Sequence, residues 1–250
     1  MVRFFITLSY DGSMYHGWQV QPNGVSVQET LAHALTTLLR EEISVTGAGR
    51  TDAGVHARMM VAHFDTEQPV DTRQLVYKLN KILPRDIAVE DVREVDGEMH
   101  ARFSATQRTY HYYIHTGKDA FLEKRSWMVT FPLDFDRMNE AAKTMTEYED
   151  FTSFSKVDTD VKTNLCHITE ARWTKERFCT ASHAETWCFT ITANRFLRNM
   201  VRAIVGTLIE VGRGRMSVEE FRQVIERKDR CQAGESVPAW GLYLWDIRYD

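Results

Sequence analysis

The segment of this chain with the highest density of reactive groups is Gly47-Ala48-Gly49-Arg50-Thr51-Asp52-Ala53-Gly54-Val55-His56-Ala57. Three glycines within eight residues permit tight or positive-φ turns there and let a ligand approach the backbone closely. Between them stand a cation (Arg50), a hydroxyl (Thr51) and a carboxylate (Asp52). The plain alternative is a hairpin-like loop with an Asp turn and an incidental arginine. A P-loop is excluded, because no Gly-Lys-Ser/Thr follows the glycines. A carboxylate in such a loop can act as a general base or as a nucleophile. For either task it must be ionised in a partly dry pocket. Burial opposes that charge and a neighbouring cation favours it.

Arg202 is the candidate cation. It sits in the apolar run from Arg195 to Val211, flanked by Val201, Ala203, Ile204 and Val205. In a helix over that run, Arg195, Arg198 and Arg202 share a face. A solvated arginine stripe is the usual reading of such a pattern. The apolar flanks, however, favour an interior position for at least one of these guanidinium groups, which then demands a carboxylate or phosphate. Tyr110 is the candidate aromatic. On a strand it shares a face with Tyr112 and Ile114, and ordinary core packing is the competing account.

The elements that must position these groups follow from periodicity and turn residues. Arg3 to Tyr10 reads as a strand ending at Asp11-Gly12-Ser13. Ser26-Val27-Gln28-Glu29 fits a capping box opening a helix to Glu41. Ile43 to Ala48 and Met59 to Asp65 read as strands around the Asp52 loop. Leu75 to Leu83 reads as a helix stopped by Pro84, and Ile87 to Val95 as a strand. The second half gives a strand at Thr109 to His115, a helix from Met138 to Tyr148, and strands at Ile168 to Thr174 and Thr186 to Asn194. The arginine helix follows, closed by Gly212 as a left-handed cap. Another capping box at Ser217 to Glu220 opens a short helix, and Leu242 to Tyr249 is the last strand. Both halves thus read β-α-β-β-α-β. The fold class expected is α+β, with two tandem ferredoxin-like units, residues 1–104 and 105–250. Their strands would form an extended mixed or antiparallel sheet, with helices on one face and a catalytic cleft on the other.

Composition limits the function class. The chain has 250 residues, 43% of them hydrophobic, which suffices for a sizeable core. No apolar run reaches membrane-spanning length and no secretory signal is legible, so a soluble, cytoplasmic protein is expected. Cys166, Cys179, Cys188 and Cys231 lack metal-ligand spacing, and no metal is expected. The formal net charge of -4 weighs mildly against a nucleic-acid partner unless cations gather on one surface. Arg102, Arg108, Lys162, Arg195, Arg198, Arg213 and Arg215 come from segments that could border one cleft. A basic cleft on an otherwise acidic body is the expectation.

Gly49-Arg50-Thr51-Asp52-Ala53-Gly54-Val55-His56-Ala57 resembles the signature of the tRNA pseudouridine synthase A family. Tyr10-Asp11-Gly12-Ser13 with Tyr15, Gly17, Trp18 and Gln19 resembles its opening motif. His100-Ala101-Arg102-Phe103-Ser104-Ala105, Arg108-Thr109-Tyr110-His111-Tyr112, Asp150 to Phe154, Ala193 to Arg202 with Ile204-Val205-Gly206, and Pro238-Ala239 with Gly241-Leu242 resemble further blocks in consistent order. The resemblance implies isomerisation of uridine to pseudouridine at positions 38, 39 and 40 in the anticodon arm of tRNA. The uracil is cut from ribose at N1 and rejoined through C5, so no cofactor is required. It implies Asp52 as the essential carboxylate, Arg202 as its partner, Tyr110 stacking on the flipped uracil and Leu242 lining the uracil pocket. It also places Arg50 in the vacated base position or on a neighbouring phosphate. Arg102, Phe103, Lys162, Arg195 and Arg198 are then tRNA contacts, and the family's homodimer is expected. Asp52 could attack the anomeric carbon, attack uracil C6 or remove a ribose proton, and the residues do not choose.

Two other classes share parts of this pattern. A non-catalytic RNA-binding module could use Tyr110 and Tyr112, but the chain lacks the Lys/Arg-Gly-Phe/Tyr pattern of that module. A glycoside hydrolase usually needs two acids, and none stands near Asp52 in sequence.

Overall fold

The computed structural model describes residues 1–156, 163–176 and 184–249. The fold is α+β, and the chain falls into two compact units, Met1–Thr106 with Tyr243–Asp250, and Gln107–Leu242. Lys162 and Cys179 lie outside the described residues. No helix among the described residues is long and apolar enough to cross a membrane.

The first unit is built on β1 (Val2–Tyr10), which pairs antiparallel with β3 (His56–Thr66) on one side and β4 (Ile87–Val95) on the other. The apolar residues of β1 explain its central place. Phe4, Phe5, Ile6 and Leu8 are all buried, and Phe4 stacks on Phe64 across the ladder at 5.5 Å. Helix α1 (Val27–Leu39) starts where expected, with Ser26 Oγ accepting the Glu29 amide at 3.2 Å. It buries Val27, Leu31, Ala34 and Leu35, each Leu contributing about 1.5–3 kcal/mol. Helix α2 (Thr72–Ile82) buries Leu75 and Leu79 and is capped by Asp71.

The strand expected over 43–48 shrinks to β2, Thr46–Gly47. The reason lies in its backbone partners. The Val45 carbonyl accepts from Gln28 Nε2 at 2.6 Å, and the Ile43 amide donates to Thr36 Oγ1 at 3.0 Å. Side chains of α1 thus take groups that a sheet neighbour would otherwise pair. The last strand, β9 (Leu242–Tyr249), begins alongside β3, with His56 and Ala57 in parallel register with Tyr243 and Leu244.

His63 on β3 is buried, and its Nδ1 accepts the Ala101 amide at 3.1 Å. Burial, aided by the charges of His100 and Arg3, holds it down to about 4 from its ordinary 6.5. Burial does the same to His111, also down to about 4. Each stays neutral when folded, whereas the unfolded chain takes up its proton near 6.5. Stability from these sites is therefore complete above pH 6.5 and is lost as pH falls toward 4. The thermal midpoint should decline across that window. His63→Asn, which keeps an acceptor for Ala101, should flatten the decline, and an unchanged slope would refute the assignment.

The second unit carries β8 (Thr186–Ala193) between β5 (Ala105–Thr116) and β7 (Ile168–Glu176), all antiparallel. A short β6 (Trp127–Val129) runs parallel to the end of β5. Helices α3 (Phe135–Thr144), α4 (Met200–Gly212) and α5 (Val218–Arg227) pack on one another, and α3 also packs on β7. The capping box at Ser217 is present in both directions.

Helix α4 corrects two expectations. It starts at Met200, because Asn199 adopts the left-handed conformation (φ 65°) and ends the preceding loop. Arg195 and Arg198 therefore precede the helix and do not share a helical face with Arg202. Gly212 is not a left-handed cap. It is the last helical residue, and a Cβ there would lie 2.4 Å from Met138 Sδ, so close packing of α3 explains the glycine. The left-handed residue is Gly214 (φ 69°).

Candidate active site

Asp52 stands half-buried in the loop between β2 and β3, with Arg50 exposed and Thr51 buried. The loop turns at Ala53-Gly54, where Val55 N–H donates to the Asp52 carbonyl at 3.1 Å. Gly54 has φ +79°, the value that the third position of a type II turn requires and that favours glycine.

The segment 10–18 holds both flanks of Asp52. Before it, Tyr10 Oη and Thr51 Oγ1 share a buried hydrogen bond of 2.8 Å, and Trp18 N–H donates to the Thr51 carbonyl at 3.2 Å. After it, Gly54 N–H donates to the Tyr15 carbonyl at 3.3 Å. Two glycines make this contact possible. A Cβ at Gly12 would lie 2.0 Å from the Val55 oxygen, and one at Gly17 would lie 2.3 Å from the Thr51 oxygen. Gly17 also has φ +89°. At a third, Gly47, a Cβ would lie 2.5 Å from the Trp18 ring. By contrast, a Cβ at Gly49 would meet nothing within 4 Å. Sequence reasoning picked out the loop and, as an opening motif, residues 10–19, but did not place the two against each other. The available signal was the density of glycine and aromatic residues at 10–18.

Arg102 and Phe103 also belong to the first unit. Phe103 is 76% exposed, its ring 4.3 Å from His100 and 5.6 Å from the Arg102 guanidinium. An apolar ring this open, bordered by a cation, is suited to stacking on a partner.

In the second unit Tyr110 is half-buried and meets Phe196 edge-on at 5.0 Å, with an interplanar angle of 84°. Tyr112 is fully buried, and its hydroxyl donates to the Pro238 carbonyl at 2.9 Å. Burial drives its pKa well above the ordinary 10, while the positive charge of Arg202 opposes that rise. Arg202 is tied to the chain before β9 in two ways. Its Nε donates to the Val237 carbonyl at 2.8 Å, and its own carbonyl accepts the Val237 amide at 3.2 Å. Gly241 abuts the Tyr112 ring, where a Cβ would sit 2.7 Å away, and Leu242 beside it is buried. Tyr112, Arg202 and residues 237–242 thus form one packed group. Phe196 and the carbonyls of Val237 and Pro238 were not singled out from sequence.

Arg198 is exposed, with its carbonyl accepting the Lys156 amide at 3.1 Å. Arg195 is half-buried near Cys166, whose thiol burial pushes up to about 11 despite that cation. Among the described residues no group of three or more His, Cys, Asp or Glu is placed to hold a metal ion.

The sequence profile described as tRNA pseudouridine synthase matches residues 6–104 and 141–250. The chain belongs to the tRNA pseudouridine synthase family. A tRNA pseudouridine synthase A of Bacteroides thetaiotaomicron is 59% identical over 249 residues, covering 100% of this chain and 91% of that protein. One from Porphyromonas gingivalis is 53% identical over 251 residues, covering 100% and 98%. One from Bacillus subtilis is 40% identical over 253 residues, covering all of both chains. The tRNA pseudouridine synthase profile takes in the cradle at 10–18, the Asp52 loop, Arg102, Phe103, Arg195, Arg198, Arg202 and Leu242. Tyr110 lies between its two segments.

Proposed function

We propose that this protein isomerises uridine to pseudouridine in tRNA, at positions 38, 39 and 40 of the anticodon arm, with the Asp52 carboxylate as its catalytic group. The observation that carries the reading is the loop itself. A half-buried carboxylate, flanked on both sides by anchored backbone, lies in a family whose relatives are named for this reaction. In the reaction the bond from C1′ to N1 breaks, a bond from C1′ to C5 forms, the proton on C5 is released and N1 ends protonated. Atoms are conserved, so no cofactor is consumed. Asp52 attacks C1′, attacks C6 or removes a ribose proton, and each of these requires its ionised form.

The target base leaves its stack to reach the carboxylate, at a cost of a few kcal/mol. Tyr110 stacks on that base, Leu242 lines its pocket, and Arg202 supplies the counter-charge to the acid. Arg50 takes the vacated space or the adjacent phosphate. Arg102, Phe103, Lys162, Arg195 and Arg198 contact the RNA. We place the protein in the cytoplasm as a homodimer gripping one tRNA, with residues 1–104 and 105–250 as its two domains.

The decisive experiment is incubation with unmodified tRNA transcripts, followed by site-resolved pseudouridine mapping. Pseudouridine at 38, 39 or 40 with unchanged RNA mass is expected. RNA bound but unmodified, or modified only outside the anticodon arm, would overturn the reading.

A further inference from the structure

His56 is the most buried polar side chain in the Asp52 loop and its first strand residue, 2% exposed. Its imidazole Nδ1 accepts the Gly12 amide at 3.1 Å. Accepting that bond requires the Nε2–H tautomer, whereas an Nδ1–H would instead donate to Asp11. Asp11 Oδ1 lies 3.2 Å from the same nitrogen and also accepts the Ser13 amide at 2.9 Å. The imidazole ring lies against Tyr243 at 4.6 Å and 23°, and the two residues are register partners between β3 and β9. The ring is therefore fixed on one face, and its acceptor nitrogen points at the turn that begins the cradle.

From Gly12 the restraint passes directly to the acid loop. Gly12 presses on the Val55 carbonyl, where no Cβ would fit, and the Val55 amide bonds the Asp52 carbonyl. Three residues on, Tyr15 holds the Gly54 amide. Loss of the Gly12 anchor would free the turn at 12–14 to move away from Val55, and the carboxylate would lose one wall of its support.

We propose that His56 is a positioning residue for Asp52, acting through the hydrogen bond from the Gly12 amide to Nδ1. The proposal rests on Asp52 being the catalytic acid. A misplacement of about 1 Å at the reacting group costs on the order of 10²-fold in rate. His56→Ala should therefore lower kcat about that much, with KM for tRNA unchanged within about twofold, as expected when ground-state binding is untouched. His56→Asn places a carbonyl oxygen where Nδ1 stood and should recover most of the lost kcat. His56→Gln reaches only toward the Nε2 position and should resemble the alanine variant.

The three variants are compared as purified full-length proteins by steady-state kinetics on a tRNA transcript, with thermal midpoints measured in parallel. Recovery by Asn alone supports the proposal even if all three variants lose stability. Equal kcat for Asn and Gln, wild-type kcat for Ala, or a loss confined to KM would each overturn it. Asp52→Asn is run beside them. Full activity in that variant would refute the role of Asp52, whereas an inactive Asp52→Asn with a fully active His56→Ala would refute only the positioning role.

Discussion

Asp52→Asn should abolish pseudouridine formation, lowering single-turnover rates on a tRNA transcript by at least about 10³-fold. The substitution is nearly isosteric. It removes the negative charge, the nucleophilic oxygen and the capacity to take a proton, whichever of these the first step uses. It keeps the backbone anchors of the loop, which are the Asp52 carbonyl, bonded by Val55, and the neighbouring Thr51 and Gly54. The thermal midpoint should stay within about 2 °C, the range of a surface substitution. Affinity for tRNA should change little, since one carboxylate is a small part of a binding surface dominated by phosphate contacts. A rate loss that tracks a loss of affinity would make Asp52 a binding residue. Wild-type turnover would remove it from the mechanism altogether.

Some of this was legible in the amino-acid order because local rules coincide with the tertiary outcome. Ile87–Val95 and Leu242–Tyr249 occur as read, since alternating apolar residues bounded by turn residues favour strands, and Ile87–Val95 keeps its ladder even though Asn80 bonds both backbone groups of Val89. Ser217 and Glu220 cap α5 reciprocally, a bond pattern needing only four consecutive residues. Elements whose fate depends on distant groups were misread. The run from Arg195 to Asn199 was expected to continue the helix, yet it is loop. Its backbone is recruited by Lys156 at the Arg198 carbonyl, and Asn199 Nδ2 donates to Ser236 Oγ at 2.6 Å. The 43–48 segment looks like a strand, and α1 side chains claim its polar groups.

The candidate site divides the same way. The acid loop stands out because a cation, a hydroxyl and a carboxylate follow one another between its glycines, although Asp and Gly are each ordinary turn residues. Its cradle does not, because Gly12 and Gly17 act on residues 43 and 34 positions away, at Val55 and Thr51. Nothing in the neighbourhood of either glycine says which surface it touches. Likewise the Val237 carbonyl that holds Arg202 belongs to a segment without any reactive residue.

Gly17→Ala tests the cradle most severely. The residue sits at φ +89°, outside the region an L side chain adopts without strain, and its new Cβ would lie 2.3 Å from the Thr51 oxygen and 3.1 Å from the Asp52 carbonyl carbon. Both obstacles are backbone, so no rotamer change relieves them. Strain of about 1–3 kcal/mol from the dihedral alone adds to the cost of separating two backbones whose contact includes the bond from Trp18 N–H to Thr51 O. We expect destabilisation of about 3 kcal/mol or more, read as a lower urea midpoint. Pseudouridine formation should also fall by at least about 10²-fold in the fraction still folded, because the displaced atoms adjoin the acid. Gly49→Ala is the internal control. It lies in the same loop with open space around its Cα, so it should fold and turn over like the parent. Similar losses in both variants would mean that the loop tolerates no substitution anywhere, and that the close approach of residue 17 is not what fixes the acid. A large loss at 17 with none at 49 would show that Asp52 is placed by contact with the opening segment, not by the glycine content of its own loop.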